Sequence, residues 1–546
     1  MDKINLTFED GNVLNVDKGI SIREVMKLVN KDDIVALRVN GNIVDADYEI
    51  DSDTYVNYIT TNDRIGRKIY TKGLEYVYIL AIKELYGDDA VVEIKHSLDK
   101  FIYSEILIKK KVDENVINRI KEKMKEIIRE DYPIKNVSVS RKDAYDYHES
   151  NNEYEKCLNY TYLTNESVTM YELCDSYNYF YYIMPASCGV LKKFDLIYIP
   201  PKGIVLCSPV NGVIPKYKHR DQVLEAFSDY EKKLNNLGVR YVGELNKLVC
   251  ESKIMDFITT NEILYNDNMN TLANIVVKNK NIKSIFISGP SSSGKTTTSK
   301  KLALYLKSKG YDSLVISTDD YFVERTQTPK KEDGSYEYES IEAIDVKLFS
   351  NQIKNLLSGK EVVIPTYNFI TGEKEYKRKP IVLNKDQILI VEGLHAISEK
   401  INGVINKKNK LKIYISPFTP IGLDRHNHIS TTDLRLLRRM VRDHRTRGYS
   451  PEVTLNNWMG MRESEENYVY PYQSEADIII NTSLAYEIGV LKTYAEPLLY
   501  SISKDCENYE EAVRILNFLK CFINIPSEDV PKTSVIREFI GNSYFE

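Results

Sequence analysis

The sequence predicts a multidomain protein of mixed class: an N-terminal β-grasp unit, a central α+β domain, and a C-terminal α/β domain whose parallel sheet carries a phosphate loop. Three observations carry this. The length of 546 residues suits three or four domains. Polar and apolar residues alternate near the N-terminus, whereas strands alternate with helical periods beyond residue 283. Within that second region a glycine-rich run joins a short apolar strand to a helix.

Composition excludes other classes. Hydrophobic residues make up 42% and charged residues 28%, so a disordered or collagen-like chain is ruled out. The 74 basic and 79 acidic side chains leave a net charge of −5, with no overall basic field for nucleic acid. The seven cysteines are dispersed without a C-x-x-C pair, as expected of reduced thiols in a cytoplasmic protein. The start, MDKINLTFED, lacks the apolar core of a signal peptide. The least polar run, 177–191, contains Asn, Tyr and Pro and is too short to span a bilayer. The expectation is a soluble, cytoplasmic chain with no membrane partner.

The elements follow in order. Residues 1–61 read as the β-grasp unit: KINLTFE alternates, Asp10-Gly11-Asn12 turns, and Ser21 with Glu24 forms an S-x-x-E capping box opening a short helix. Asn40-Gly41 supplies a second hairpin turn. Residues 62–240 read as one α+β domain, with helical periods in LEYVYILAIKELYG and 116–131 and strands in 192–200 and 203–210. Residues 241–282 read as a polar helical connector. From 283 to 500, the strands KSIFIS, DSLVIS, EVVIP and QILIVEG alternate with helices, which predicts a parallel sheet. Residues 501–546 read as one helix and a polar tail of unassigned role.

The chemistry concentrates in 283–500. Gly289-Pro290-Ser291-Ser292-Ser293-Gly294-Lys295-Thr296 is a complete G-x-x-x-x-G-K-[ST] match between strand and helix. Its glycines let backbone amides turn toward a phosphate, and the helix that follows presents its positive end. Ser291, Ser292, Ser293 and Thr297 belong to this cradle, Lys295 reaches the β- and γ-phosphates, and the Thr296 hydroxyl ligates Mg²⁺. Asp319 and Asp320 follow the second strand, at the sheet edge where open α/β sheets bind substrates and a carboxylate can take a proton. Six arginines between Arg435 and Arg447 face one acid, Asp443, a field suited to transferred phosphate. His426-Asn427-His428 lacks further Cys or His nearby, so a loop entering the arginine segment is the plainer account than a metal site.

GPSSSGKTT, ISTDDYF, IPTYNF (364–369), ILIVEGLHA (388–396) and RRMVRDHRTRG (438–448), in that order, resemble the uridine kinase and phosphoribulokinase family over about 283–490. The resemblance implies that Asp319 is the base activating a sugar 5′-hydroxyl, that Tyr367 packs on the nucleobase, and that Glu392 lies near Mg²⁺. It places Arg439, Arg442 and Arg447 in a lid over the phosphates, with Arg442 catalytic. Two positions depart from the family: Gly372 stands where uridine-phosphorylating members often carry a His, and Glu339 where an Asp holds the ribose.

Residues 1–61 resemble the TGS domain of threonyl-tRNA synthetases, and LEYVYILAIKELYG, MYELCDSYN and CGVLKKFDLI resemble the second additional, editing domain of those enzymes. The family's His-x-x-x-His positions are Lys72 and Tyr76, and its Cys-x-x-x-His positions are Cys174 and Asn178, so the editing chemistry is expected to be absent. The combined expectation is an ATP- and Mg²⁺-dependent kinase of uridine, with cytidine second, fused to a degenerate synthetase-like half. A phosphosugar kinase and a nucleotide-switched RNA-binding protein are the rivals. RNA contact through the N-terminal half and a homo-oligomer stay open.

Overall fold

The computed structural model describes every residue except Met1, Asn30, Asp32, Glu332 and Asp333. The N-terminal unit is a five-stranded sheet in the order Val13–Asp17, Lys3–Phe8, Thr54–Thr60, Ile34–Val39, Asn42–Ile43. The first strand alternates exposed and buried residues, so Leu6 and Phe8 join Val56 and Leu37 under the helix Ile22–Val29. The capping box forms as expected, with the Ser21 amide donating to the Glu24 carboxylate at 2.9 Å.

The central domain is built on the helix Arg64–Tyr86, buried continuously from Leu74 to Ile82. It packs beside the amphipathic helix Glu114–Glu130, whose Ile117, Ile120, Met124 and Ile127 point inward. An antiparallel sheet in the order Asp195–Ile199, Gly203–Cys207, Phe101–Leu107, Val91–Leu98 completes this layer, and a smaller sheet holds Lys135–Ser140, Ser167–Leu173 and Ser176–Asn178.

The C-terminal domain has five parallel strands ordered Ser313–Ser317, Ile388–Glu392, Ser284–Ser288, Lys410–Ser416, Ile478–Asn481, which is 2-3-1-4-5 in chain order. Ser284–Ser288 is buried along its length, as a central strand covered on both faces must be. The chain leaves this strand toward Ser313–Ser317 and, after Ile388–Glu392, crosses to Lys410–Ser416 on its other side, which opens a crevice at the carboxyl ends of the strands.

Four expectations change. The 241–282 segment is no linker: its helices Val242–Cys250 and Ile254–Lys278 belong to the C-terminal core, and the Tyr265 hydroxyl lies 2.8 Å from that of Thr298 on the phosphate-loop helix. The helix Asp221–Asn236 also leaves the central domain and packs beside Ile478–Asn481, with Phe227 against Phe418. EVVIP forms no strand. Val362 makes a single bridge to Ile381, and a hairpin of Thr366–Asn368 with Glu373–Glu375 follows Pro365, which has no amide to donate. Finally, the tail beyond 500 is not polar in its packing. Besides the helix Tyr509–Leu519, it buries Phe522, Ile525, Val530, Val535, Ile536 and Phe539 in the same core. No described helix is long and apolar enough to cross a membrane.

Candidate functional site

The crevice holds a cavity of about 610 Å³. Its floor is the loop between Ser284–Ser288 and the helix Lys295–Ser308, where Gly294 adopts φ 87°, a conformation that disfavours any side chain. Lys295 is buried and donates to the carbonyls of Gly289 and Pro290 at 3.0 and 3.1 Å. Burial lowers its pKa, opposed by the surrounding carboxylates of Glu392, Asp319, Glu538 and Glu465. The Ser292 and Ser293 hydroxyls are buried without partners, whereas the Ser291 amide donates to Glu465 at 2.7 Å. Thr297 is engaged elsewhere: its amide and hydroxyl both donate to Glu538, at 3.1 and 2.7 Å.

Two carboxylates reach the cavity from the ends of neighbouring strands. Glu392 is buried and accepts from the Thr296 hydroxyl at 3.3 Å, and burial together with the charge of Asp319 pushes its carboxyl up to about 7. This pair of hard oxygen donors fits Mg²⁺, which takes one or two protein oxygens and completes its shell with water and phosphate. Asp319 is exposed to the cavity. Its neighbour Asp320 is held in a two-pronged pair by Arg378, at 2.8 and 3.0 Å, and does not line the cavity.

The far wall is aromatic. Phe322, Tyr338, Tyr367 and Phe369 pack with ring centroids 5.0 to 6.3 Å apart. Tyr367 is buried, and its hydroxyl has no partner. Glu339 also lines this wall. Burial raises its pKa, the Arg439 charge opposes the rise, and its main-chain carbonyl accepts from His395 at 2.7 Å. Position 372 has a structural answer. A Cβ on Gly372, which sits at φ 79°, would lie 2.7 Å from the Arg325 side chain, so Arg325 fills the space beside it. The Arg325 guanidinium donates to the carbonyls of Phe369 and Ile370 at 2.6 and 3.3 Å, while its Nε is buried without a partner.

The segment that the resemblance assigns to a lid is the helix Thr431–Arg447, capped by Ser430. The expected field of six arginines is corrected here: three face the cavity. Arg439, Arg442 and Arg447 line it around the buried Asp443. Arg435 and Arg438 point the other way and are fully buried. Arg435 pairs with Glu465 and donates to the Ser291 carbonyl at 2.8 Å. Arg438 pairs with Glu487 at 2.8 and 3.0 Å and donates to the Ser292 carbonyl at 3.2 Å. These two brace the phosphate loop from behind, and Arg445 holds the C-terminal segment.

The family model described as Phosphoribulokinase / Uridine kinase family matches residues 284–488. A uridine kinase of Staphylococcus aureus is 30% identical over 200 residues, 36% of this chain and 86% of the relative. The chain belongs to the phosphoribulokinase and uridine kinase family. Its P-loop kinase domain is also similar to a structure titled as a possible uridine kinase from Bacillus stearothermophilus, with 18% identity, TM-score 0.27, and coverage of 39% of this chain and 98% of that one. Ahead of the kinase domain, a threonine–tRNA ligase of Acetivibrio thermocellus is 30% identical over 153 residues, 28% of this chain but 24% of the ligase.

In that synthetase-like half, the four positions noted above have local partners. Lys72 pairs with Glu75 at 2.6 Å, the Tyr76 hydroxyl donates to the Tyr171 carbonyl at 2.7 Å, and burial pushes the Cys174 thiol up to about 11. Asn178 bonds the buried Lys156 at 2.6 Å and His426 at 3.0 Å, so the fourth position now ties this half to the kinase domain. Sequence reasoning missed Arg325, Glu465 and Glu538. Each acts through a partner distant in the chain, and none lies in a recognisable motif.

Proposed function

We propose that the kinase domain transfers the γ-phosphoryl group of ATP to the 5′-hydroxyl of uridine, with cytidine as a second substrate. The observation that carries this reading is the cavity itself, which combines a phosphate loop, the carboxylates of Asp319 and Glu339 and an aromatic wall in a single space. Asp319 accepts the hydroxyl proton, the freed oxygen attacks the γ-phosphorus, and the bond to the β–γ bridging oxygen breaks, releasing ADP. Lys295 and the loop amides hold the β- and γ-phosphates. Arg439, Arg442 and Arg447 neutralise charge spreading over the transferred group and exclude water, which would otherwise consume ATP. Thr296 and Glu392 hold Mg²⁺, which when bound screens the phosphate charge.

The base reading rests on donors. Tyr367 and Arg325 both line the cavity, and the Arg325 guanidinium has more N–H donors than its two carbonyl contacts use. Arg325 can only donate, which favours the uracil O4 acceptor over the amino group of cytosine. Glu339 reaches the ribose hydroxyls. The names of the staphylococcal relatives support the same substrate.

The test is ADP release with ATP and Mg²⁺ across a nucleoside panel, with Lys295→Ala as the blank. Uridine-dependent turnover that vanishes in the blank is expected. Turnover with a phosphosugar and none with any nucleoside would overturn the substrate.

A second reading concerns the N-terminal half. A cleft of about 750 Å³ between the β-grasp unit and the central domain is lined by Arg23, Lys27, Lys31, Lys125, Arg129 and Lys192, with Asp131 as its acid. That local cation density suits an RNA backbone despite the chain's negative total. Filter binding of a short RNA duplex, weakened by salt and by Lys27→Glu with Arg129→Glu, is the expected result. Affinity indifferent to both would sink it.

A further inference from the structure

The first turn of a phosphate-loop helix offers its amides to the nucleotide phosphates, the amide after the Mg²⁺-binding Thr lying nearest the α-phosphate. In this chain that amide belongs to Thr297, and a carboxylate already occupies it. Glu538 accepts from the Thr297 amide at 3.1 Å and from its hydroxyl at 2.7 Å, and it lines the cavity. An anion held by a helix-terminal amide and a hydroxyl is what a phosphate oxygen would be in the same place.

The segment that delivers Glu538 is firmly built. Val535, Ile536 and Phe539 are buried in the kinase core, and Val535 lies so close to the loop that a Cβ on Gly294 would meet its Cγ2 at 2.5 Å. Lys301 donates to the Thr533 carbonyl at 3.1 Å and Lys300 to the Phe545 carbonyl at 2.7 Å, so both clamps come from the phosphate-loop helix itself. Arg445 of the lid helix grips the other side, donating to the carbonyls of Glu538 and Phe539 at 3.2 Å each and pairing with Glu546 at 2.6 Å. The lid and the segment are therefore mechanically joined.

We propose that Glu538 is a built-in competitor of the nucleotide α-phosphate, so that ATP binds only when the C-terminal segment yields, and that this competition sets the affinity for the phosphate donor. The carboxylate and the α-phosphate are both anions and need the same two donors, so they exclude one another. A nucleotide that binds only the segment-released state has its affinity reduced by the fraction of molecules in that state. Because Arg445 links the segment to the last turn of the lid helix, release also removes a tether from the end of that helix, where Arg447 lines the cavity.

This inference rests on the phosphate loop being the nucleotide site, and its test separates the two ideas. Titration calorimetry of the full chain with ATP and Mg²⁺ measures affinity without any phosphoryl acceptor. Glu538→Gln keeps the size and loses the charge, and it is expected to tighten ATP binding about tenfold or more, the penalty for a competent state populated near one tenth. Amide hydrogen exchange supplies a readout independent of the substitution: saturating ATP should speed exchange across 534–546 in the unaltered chain. Unchanged or weaker ATP binding in Glu538→Gln, or a segment as protected with ATP as without it, overturns the competitor. ATP binding that survives Lys295→Ala overturns the site reading and this inference with it. ATP binding that is lost in Lys295→Ala but indifferent to Glu538→Gln removes the competitor alone.

Discussion

Asp319 and Asp320 are adjacent and chemically identical, and only the family resemblance favours Asp319, yet they stand in different places. Asp320 spends its carboxylate on Arg378, 58 positions away, while Asp319 opens into the cavity. Asp319→Asn should therefore lower kcat by about 10²- to 10⁴-fold, the range of a general base, with uridine still bound. Asp320→Asn should leave kcat within a few-fold, because its loss loosens Arg378 and no reacting atom. Steady-state kinetics on both variants decide it, and the reverse order would exchange the assignment. Arg325 yields a second expectation at this scale. Arg325→Ala should raise KM for uridine about tenfold with kcat little changed, the pattern of lost uniform binding, and should lower the preference of uridine over cytidine. A merely structural Arg325 would raise both KM values alike. The two residues mark where sequence is informative. The phosphate loop was legible because its contacts are local and its spacing is set by one anion. The choice between two aspartates was not, because it depends on a partner brought in by the fold. The surroundings of Gly372 were equally hidden, since the side chain that fills the space beside it is Arg325, from another segment.

At the scale of one element, the lid helix divides its arginines by face. Arg435 and Arg438 share a face turned to the core and find Glu465 and Glu487, 30 and 49 residues onward. Arg439 and Arg442 turn to the cavity with Arg447. A charge count along the sequence treats them alike, because helical phase shows which residues share a face but not which face meets a buried acid. The division predicts opposite phenotypes. Arg438→Met strips the partner from a fully buried Glu487 and should cost about 3–5 kcal/mol of stability, the usual loss when one member of a buried pair is removed. Arg442→Ala leaves the buried Asp443 still paired with Arg439 and Arg447, so it should cost clearly less stability than Arg438→Met while lowering kcat about 10²- to 10³-fold, as expected when one donor to a developing charge is deleted. Urea unfolding and turnover measured on the same two preparations would distinguish them. Equal stability losses would refute the division.

At the scale of the whole molecule, the halves that the sequence separates by texture are joined by buried charge. The class of each domain could be read from periodicity, but the boundaries could not. The sequence places 221–236 in the central domain and 254–278 in a connector, and both helices are held in the kinase core by contacts invisible locally. The clearest junction is Arg514, in the segment beyond 500. It binds Asp433 at the start of the lid helix through two contacts of 2.7 Å and Glu511 at 2.7 and 2.8 Å, while Lys68 of the synthetase-like half reaches Glu511 at 3.1 Å. Three parts of the chain thus meet at one guanidinium. Arg514→Met would leave Asp433 and Glu511 buried with their main cation gone, at a cost of about 3–5 kcal/mol. Trp458, the chain's single tryptophan, is buried in the kinase domain under Arg435 and reports on that half alone, whereas far-UV circular dichroism reports on both halves. If the halves are energetically one body, the fluorescence and dichroism midpoints should fall together in Arg514→Met. A fluorescence midpoint that falls while part of the dichroism transition stays where it was would mean that the synthetase-like half stands on its own core, and that the junction transmits no stability between them.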